Sequence, residues 1–259
     1  MRIALGIEYK GQGFHGWQAQ ENLPTIQNEV EQALSKIADH PITLTCAGRT
    51  DAGVNALGQV AHFDTHQIRN HKAWVLGTNS YLPQTIAIRF AKIVPEDFHA
   101  RFSALSRFYQ YVIYNHSTRP AIFSQSVTWM YEVLNTKTMQ EAANYLIGEK
   151  DFTSFRSSQC ESNTPMRNIK KINVLRIKEY IVIDIEANAF LHHMVRNIVG
   201  SLISVGIGIH EPDWLLEVLL AKDRRKAGKT AAASGLYLSH VQYPIKYELP
   251  TSPSIFLVL

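Results

Sequence analysis

The stretch "ITLTCAGRTDAGVNALGQVAHFDT", residues 42–65, sets a glycine-rich segment between two strand patterns. On either side of that segment, "ITLTCAG" and "GQVAHFDT" have the apolar content that is typical of strands. Between them, "GRTDAG" places Arg49 and Asp51 two residues apart, and its glycines allow a large ligand to approach the backbone closely. These residues fit either a hairpin loop with a solvated salt bridge or a loop in which Asp51 is a carboxylate nucleophile.

Strand and helix patterns around this stretch give the first half of the chain a β-α-β-β-α-β order. "RIALGIEY" alternates as a strand, and "TIQNEVEQALSKIADH" has a helical apolar stripe that begins at a capping residue, Thr25. Beyond the glycine-rich segment, "NHKAWVLGTNSYL" is predicted as a helix and "TIAIRFAKIV" as a strand. This order is the split β-α-β unit of ferredoxin-like domains.

The second half of the chain repeats the order with one extra helix. Its predicted strands are "RFYQYVIYN", "IKKINVLRI", "YIVIDIEA" and "SGLYLSHVQY", and its predicted helices are "KTMQEAANYLIG", "FLHHMVRNIVGSLISVG" and "EPDWLLEVLLA". The sequence therefore predicts an α+β fold of two similar ferredoxin-like domains with antiparallel sheets, residues 1–105 and 106–259.

The composition indicates a packed and mildly basic protein. Hydrophobic residues make up 46% of the 259 residues, which favours a folded core over disorder. Lys and Arg number 26 against 22 acidic residues, an excess that is compatible with a polyanionic partner. The two cysteines form no CxxC pair, and the longest apolar run, "IVGSLISVGIGI", is too short to span a membrane. We therefore expect a reducing, cytoplasmic location and no membrane association.

Three motifs each have a structural and a functional interpretation. "GQGFHG" matches G-x-G-x-x-G, but no helix follows it directly and Lys36 stands where a dinucleotide site needs an acid, so a shaped loop is favoured over a cofactor site. In "RFYQYVIYN", Tyr109 is either a core aromatic or a base-stacking residue beside a phosphate-contacting arginine, Arg107. "KDRRKAGK" is either a solvated face or a phosphate-binding patch.

The pattern "FLHHMVRNIVGSLISVG" puts an arginine inside an apolar helix. His192, Arg196 and Gly200 lie four residues apart and are predicted to share one helix face. Arg196 is expected either to reach solvent along its aliphatic stem or to pair with a buried acid. No Cys/His set at ligand spacing accompanies the histidines, so no metal site is predicted.

Six motifs, in order along nearly the whole chain, resemble those of the tRNA pseudouridine synthase A family. They are "YKGQGFHGWQAQ", "AGRTDAGVNALGQVAHF", "FHARFSALSRFYQYVIYN", "DFTSFRSSQCESNTPMRNI", "FLHHMVRNIVGSL" and "SGLYLSHVQYP". The resemblance implies an isomerase without a cofactor that converts uridine to pseudouridine at tRNA positions 38, 39 and 40, in the anticodon stem-loop. It also implies a homodimer whose partner is tRNA.

The same resemblance assigns roles to four residues. Asp51 matches the catalytic aspartate, and Arg49 matches the arginine that occupies the space of the flipped base. Tyr109 matches the tyrosine that packs on the target base, and Arg196 matches the basic residue that pairs with the aspartate. Because Asp51 and Arg196 come from different predicted domains, we expect the active site in the cleft between those domains.

Three positions depart from the family pattern, and none is one of those four residues. Lys10, Asn55 and Ala232 stand where the family usually has Asp, His and Pro, respectively. These departures concern loop detail and RNA contacts more than the chemistry.

Two other functions fit parts of the sequence. A non-catalytic protein with tandem RRM-like domains needs two aromatic strand motifs; "RFYQYVIYN" resembles one loosely, and its partner motif is not evident. A nucleotide-dependent oxidoreductase depends on "GQGFHG" alone.

Overall fold

The structure is a computed structural model that describes residues 1–250 and divides into two compact units. Unit 1 contains Met1–Arg107 and, from the C-terminal part of the chain, residues 237–250. Unit 2 contains Phe108–Leu236. Both units combine strands with a small number of helices, so the chain has the mixed α+β character that the sequence predicts.

The two units differ in one respect from the predicted division into 1–105 and 106–259. Residues 237–250 group with unit 1, in which Tyr237 of the last strand lies opposite Asn55. Strand patterns along the chain indicate where strands begin and end, but they do not indicate which neighbour a terminal strand pairs with.

The strands, numbered along the chain, are β1 (Arg2–Tyr9), β2 (Thr45–Cys46), β3 (Asn55–Asp64), β4 (Ile86–Val94), β5 (Ser106–Asn115), β6 (Thr128–Met130), β7 (Gly148–Asp151), β8 (Met166–Ile177), β9 (Tyr180–Ala187) and β10 (Leu236–Gln242). The helices are α1 (Ile26–Ala38), α2 (Thr136–Asn144), α3 (Met194–Gly206) and α4 (Trp214–Ala221), and a π-helical segment covers Ala73–Gly77. Within residues 1–250, every helix is too short or too polar to cross a lipid bilayer.

In unit 1, β1 lies between β3 and β4 and runs antiparallel to both. β2 pairs antiparallel with β3, and β10 pairs parallel with the first residues of β3. β3 begins at Asn55, three residues before the predicted "GQVAHFDT" strand, because Ala56 pairs with Tyr9 of β1. Asn55, Ala56 and Leu57, which precede the predicted strand, therefore lie in the sheet.

In unit 2, the strand order is β5-β9-β8-β7, and β6 adds to β5 in parallel. The sequence does not predict β6 or β7. β7 has the polar sequence "GEKD", which has no strand pattern, and it is a strand because its backbone pairs with β8, where Gly148 lies opposite Ile169. Backbone pairing of this kind does not require alternating apolar and polar side chains, so a sequence pattern does not predict it.

Helix α3 begins later than its sequence pattern predicts. His193 has a φ of 63°, a left-handed conformation from which a right-handed helix cannot extend backwards, so α3 starts at Met194. His192 therefore lies before the helix, and the predicted row of three residues is wrong at that position. Arg196 and Gly200 remain one turn apart on the same face.

Candidate active site

The loop of residues 47–54, which we call the GRTDAG loop, is held where it leaves β2. The Gln59 side chain donates from Nε2 to the carbonyl oxygen of Gly48 at 2.7 Å. The Arg107 guanidinium donates to the carbonyl oxygen of Ala47 at 2.9 Å. Both donors are buried, so the start of the loop has fixed backbone partners in unit 1.

Arg107 is a loop-holding residue rather than a ligand contact. Only 9% of it is exposed, and besides Ala47 its guanidinium donates to the carbonyl oxygen of Arg101 at 2.6 Å. The structure therefore does not support the alternative in which Arg107 contacts phosphate. A buried arginine needs such acceptors, because its charge is costly to desolvate without them.

The "GQGFHG" segment packs against the GRTDAG loop. Trp17 donates its backbone N–H to the carbonyl oxygen of Thr50 at 3.0 Å, and the Tyr9 hydroxyl lies 2.7 Å from Thr50 Oγ1. A Cβ atom at Gly16 would lie 2.7 Å from that carbonyl oxygen, closer than side chains permit, and Gly16 has a φ of 89°. Gly16 of this motif therefore serves the contact between the two loops, which supports the shaped-loop interpretation.

Asn55, one of the three departures from the family pattern, has a buried structural role. Only 3% of it is exposed, and its Oδ1 accepts the backbone N–H of Gly11 at 3.0 Å. A Cβ atom at Gly11 would overlap the carbonyl group of Val54. The Asn55 side chain thus ties the "GQGFHG" segment to the end of the GRTDAG loop.

Arg49 and Asp51, the two loop residues that the family resemblance singles out, are less buried than the side chains that make these contacts. Arg49 is exposed and Asp51 is half-buried, whereas Thr50 between them is buried. Gly53 has a φ of 77° and lets the chain turn back towards β3. A loop whose backbone has fixed partners is compatible with a catalytic role for Asp51.

Cys46, at the start of the loop, is not a nucleophile. Burial raises the pKa of its thiol to about 11, which keeps it protonated at neutral pH, although the nearby Arg49 and Arg101 act in the opposite direction. A thiol that stays protonated is unreactive. Cys46 is therefore a small packed residue.

In unit 2, Tyr109 lies in β5 with its ring held by an aromatic contact. It is 8% exposed and packs edge-to-face on Phe190, with ring centroids 5.0 Å apart. On the same strand face, the Tyr111 hydroxyl donates to the carbonyl oxygen of Ala232 at 2.8 Å, and burial raises the pKa of Tyr111 well above its usual range. Tyr111 is thus a structural residue, and Ala232 takes part through its backbone.

Arg196 lies in the first turn of α3 and is half-buried. Its Nε donates to the carbonyl oxygen of Ala231 at 2.8 Å, and the Ala231 N–H donates back to the Arg196 carbonyl oxygen at 3.1 Å. Sequence patterns do not reveal Ala231 as a partner, because the acceptor is a backbone atom that any residue carries.

The structure thus places Arg49 and Asp51 together on one loop of unit 1. Tyr109 and Arg196 both belong to unit 2. A family model described as "tRNA pseudouridine synthase" matches residues 6–103 and 142–244, which include Arg49, Asp51 and Arg196. The chain belongs to this family. Membership of the tRNA pseudouridine synthase family confirms the resemblance seen in the six motifs.

Individual relatives agree with the family model. A protein of Coxiella burnetii (strain Dugway 5J108-111) named tRNA pseudouridine synthase A is 56% identical over 252 residues, which cover 97% of each chain. A Klebsiella pneumoniae protein of the same name is 56% identical over 252 residues, covering 97% of this chain and 93% of the relative. A solved Cbf5-Nop10-Gar1 complex matches 78% of this chain and 45% of that chain with 13% identity and a TM-score of 0.35, a likeness that carries no conclusion about fold or function.

Proposed function

We propose that the protein converts uridine to pseudouridine at positions 38, 39 and 40 of the tRNA anticodon stem-loop. Family membership makes it an isomerase that acts on tRNA uridine. The observation that carries the proposal is the GRTDAG loop, which presents Asp51 and Arg49 from a fixed backbone. The choice of the anticodon arm follows from the family resemblance of the motifs.

The conversion of uridine to pseudouridine requires a carboxylate next to a uracil that has left the base stack. The N1–C1′ glycosidic bond breaks, the uracil turns, and C5 bonds to C1′, so the change is an isomerisation without net redox or hydrolysis. A stacked base is out of reach, and extruding it costs about a few kcal/mol, least where it is already weakly stacked. Bases in a loop or at the end of a stem meet that condition.

Each functional side chain has a role in this scheme. Asp51 acts as the ionised carboxylate; attack at C1′, attack at C6 and a glycal route all begin from that form. Arg196 is assigned by the family resemblance as the basic partner that orients the catalytic aspartate. Arg49 fills the gap that the extruded base leaves, and Tyr109 packs on the uracil.

We also propose that the two units are ferredoxin-like domains. In unit 1, helix α1 connects β1 to the β2–β3 pair, and β1 lies between β3 and β4. In unit 2, α2 precedes β8, and β9 lies between β5 and β8. Both arrangements have the split β-α-β order. The family resemblance further supports a homodimer in the cytoplasm.

Mapping the product tests the proposal. The purified protein is incubated with an unmodified tRNA transcript without added cofactor, and pseudouridine is located at nucleotide resolution. We expect product at positions 38, 39 and 40 where these are uridines, and none in a matched transcript with cytidine at those positions. Tight binding without product would favour the non-catalytic RRM-like alternative, and activity only with added nicotinamide would favour the oxidoreductase.

A further inference from the structure

Residues 222–231, which we call the strap, cross helix α3 with their backbone in direct contact with it. A Cβ atom at Gly200 would overlap the carbonyl oxygen of Lys229, and one at Gly228 would lie 2.8 Å from the carbonyl oxygen of Gly200. The Gly228 N–H donates to Ser201 Oγ at 2.9 Å. Two glycines therefore allow an approach that larger residues would prevent.

A buried asparagine fastens the strap to the helix. Asn197 is 1% exposed, and its Nδ2 donates to the carbonyl oxygen of Phe155 at 2.9 Å. Its Oδ1 accepts from Arg224 Nη2 at 2.9 Å and from Thr230 Oγ1 at 2.7 Å. Arg224 and Thr230, near the two ends of the strap, thus both donate to Asn197 Oδ1. The Asn197 side chain is also held through Nδ2, which donates to Phe155.

The charges of the strap divide between an inner and an outer side. Arg224 faces inward, where it also donates to the Gly228 carbonyl oxygen at 3.0 Å. Arg225 is paired with Asp223 at 2.7 Å, and Lys226 and Lys229 are exposed. Within this basic run, Arg224 therefore has a structural role, whereas Lys226 and Lys229 face solvent. The sequence pattern alone does not distinguish these two groups.

The strap ends on Arg196. Ala231 and Arg196 exchange two hydrogen bonds, and the one to Arg196 Nε, at 2.8 Å, sets the plane of the guanidinium. Because that group is a rigid fork, fixing Nε also fixes the direction of the two remaining nitrogens. A displaced strap would leave Arg196 on the helix but would remove the hydrogen bond between its Nε and Ala231.

We propose that the strap is a positioning element for Arg196, and that Gly200 and Asn197 are positioning residues because they hold the strap against α3. The inference rests on the proposed function, since it takes Arg196 to act in the reaction. Misplacing a reacting group by about 1 Å can cost about 10²-fold in rate. A strap that served only to bind phosphate would instead affect tRNA affinity.

The test compares two alanine variants of the same helix. Gly200→Ala must push the Lys229 backbone away, whereas Gly206→Ala meets the Met139 thioether at 2.7 Å, a flexible side chain that can move aside. Measurements are kcat and tRNA Kd, together with hydrogen exchange at the Ala231 amide. We expect Gly200→Ala to lower kcat at least tenfold, to change kcat more than Kd and to expose the Ala231 amide. We expect Gly206→Ala to leave kcat, Kd and the Ala231 amide close to wild type.

A second variant loosens the strap without touching the helix. Thr230→Val keeps the shape of an exposed side chain and removes the hydrogen bonds that Thr230 Oγ1 makes with Asn197 and Arg224. We therefore expect faster exchange at Ala231 and about fivefold lower kcat, the equivalent of about 1 kcal/mol. If Gly200→Ala does not fold, the kcat and the Ala231 exchange rate of Thr230→Val test the positioning role of the strap instead.

Arg196→Met separates the inference from the function on which it rests. Loss of activity in Arg196→Met, with normal kcat in Gly200→Ala or Thr230→Val despite an exposed Ala231 amide, would overturn the role of the strap alone. Near-normal turnover in Arg196→Met would reject the role of Arg196 in the proposed function, and the positioning role would fall with it.

Discussion

Arg49 is exposed on a loop whose backbone is fixed, which suits a side chain that must enter an RNA stack. We expect Arg49→Ala to slow pseudouridine formation roughly tenfold, because one stacking contact is worth about 1–3 kcal/mol. Single-turnover kinetics with enzyme in excess measure this step. Arg49→Lys is the matched control: it keeps the charge but lacks the planar group, so it should restore affinity more than rate. An unchanged single-turnover rate in Arg49→Ala would exclude the gap-filling role.

Asp51 and Arg49 could be singled out from the sequence because their loop carries a dense motif. Arg107 could not be interpreted correctly in the same way. The alternation of side chains along the strand indicates that Arg107 and Tyr109 share a face. It does not indicate that Arg107 donates to the backbone of Ala47, because this contact forms only in the folded unit. Backbone partners such as the Ala231 carbonyl group cannot be predicted from the sequence, because every residue type carries a backbone carbonyl.

The contact between the "GQGFHG" segment and the GRTDAG loop can be tested with two glycines of that segment. Both have a positive φ, 85° at Gly13 and 89° at Gly16, so alanine is strained at either by about 1 kcal/mol. Only Gly16 has the Thr50 carbonyl oxygen in the way; Gly13 faces open space. We expect Gly16→Ala to lower kcat at least tenfold and Gly13→Ala to keep it near wild type. Equal kcat values in the two variants would show that this loop contact does not support catalysis.

Strand β3 has a titratable group buried near its far end, which predicts a pH dependence of stability. Burial lowers the pKa of His62 to about 4, helped by the nearby Arg2, and its Nδ1 accepts the Ala100 N–H at 3.1 Å. The unfolded chain takes up this proton near pH 6.5 and the folded chain only near pH 4, so the stability falls as the pH drops between these values. The free energy of unfolding should decline by up to about 3 kcal/mol from this residue.

Urea unfolding at pH 7 and pH 4.5 measures this effect of His62. In His62→Gln, which retains an acceptor, the decline between the two pH values should be smaller than in the wild type. Parallel declines in the two proteins would show that His62 does not take part in acid destabilisation.

The order of elements was largely predictable, because long apolar patterns such as β1, α1 and β9 are set by burial on one face. The exceptions have local causes. β6 and β7 are short strands made by backbone pairing, and the start of α3 is set by the left-handed His193. The pairing of β10 with β3 is a contact between distant parts of the chain that no local pattern encodes.

The molecule as a whole carries a net charge of +4, with Lys226 and Lys229 exposed on the strap. We expect tRNA affinity to fall steeply with salt, because each phosphate contact releases counterions. A plot of log K against log salt concentration measures the slope. Replacing both lysines with Gln should make the slope shallower by about 2, whereas Lys137→Gln, on helix α2, should leave it unchanged. A flat salt response in the unmodified protein would argue against phosphate binding altogether.

The role of Asp51 is tested most directly by Asp51→Asn, which keeps the size of the side chain and removes its charge. The measurement is pseudouridine formation in a tRNA transcript, alongside the Kd for the same transcript. We predict no product above background and a Kd within about threefold of the wild type, since affinity comes mainly from phosphate contacts. Turnover in Asp51→Asn or Asp51→Ala close to that of the wild type would contradict the assignment of this aspartate, and with it the proposed mechanism.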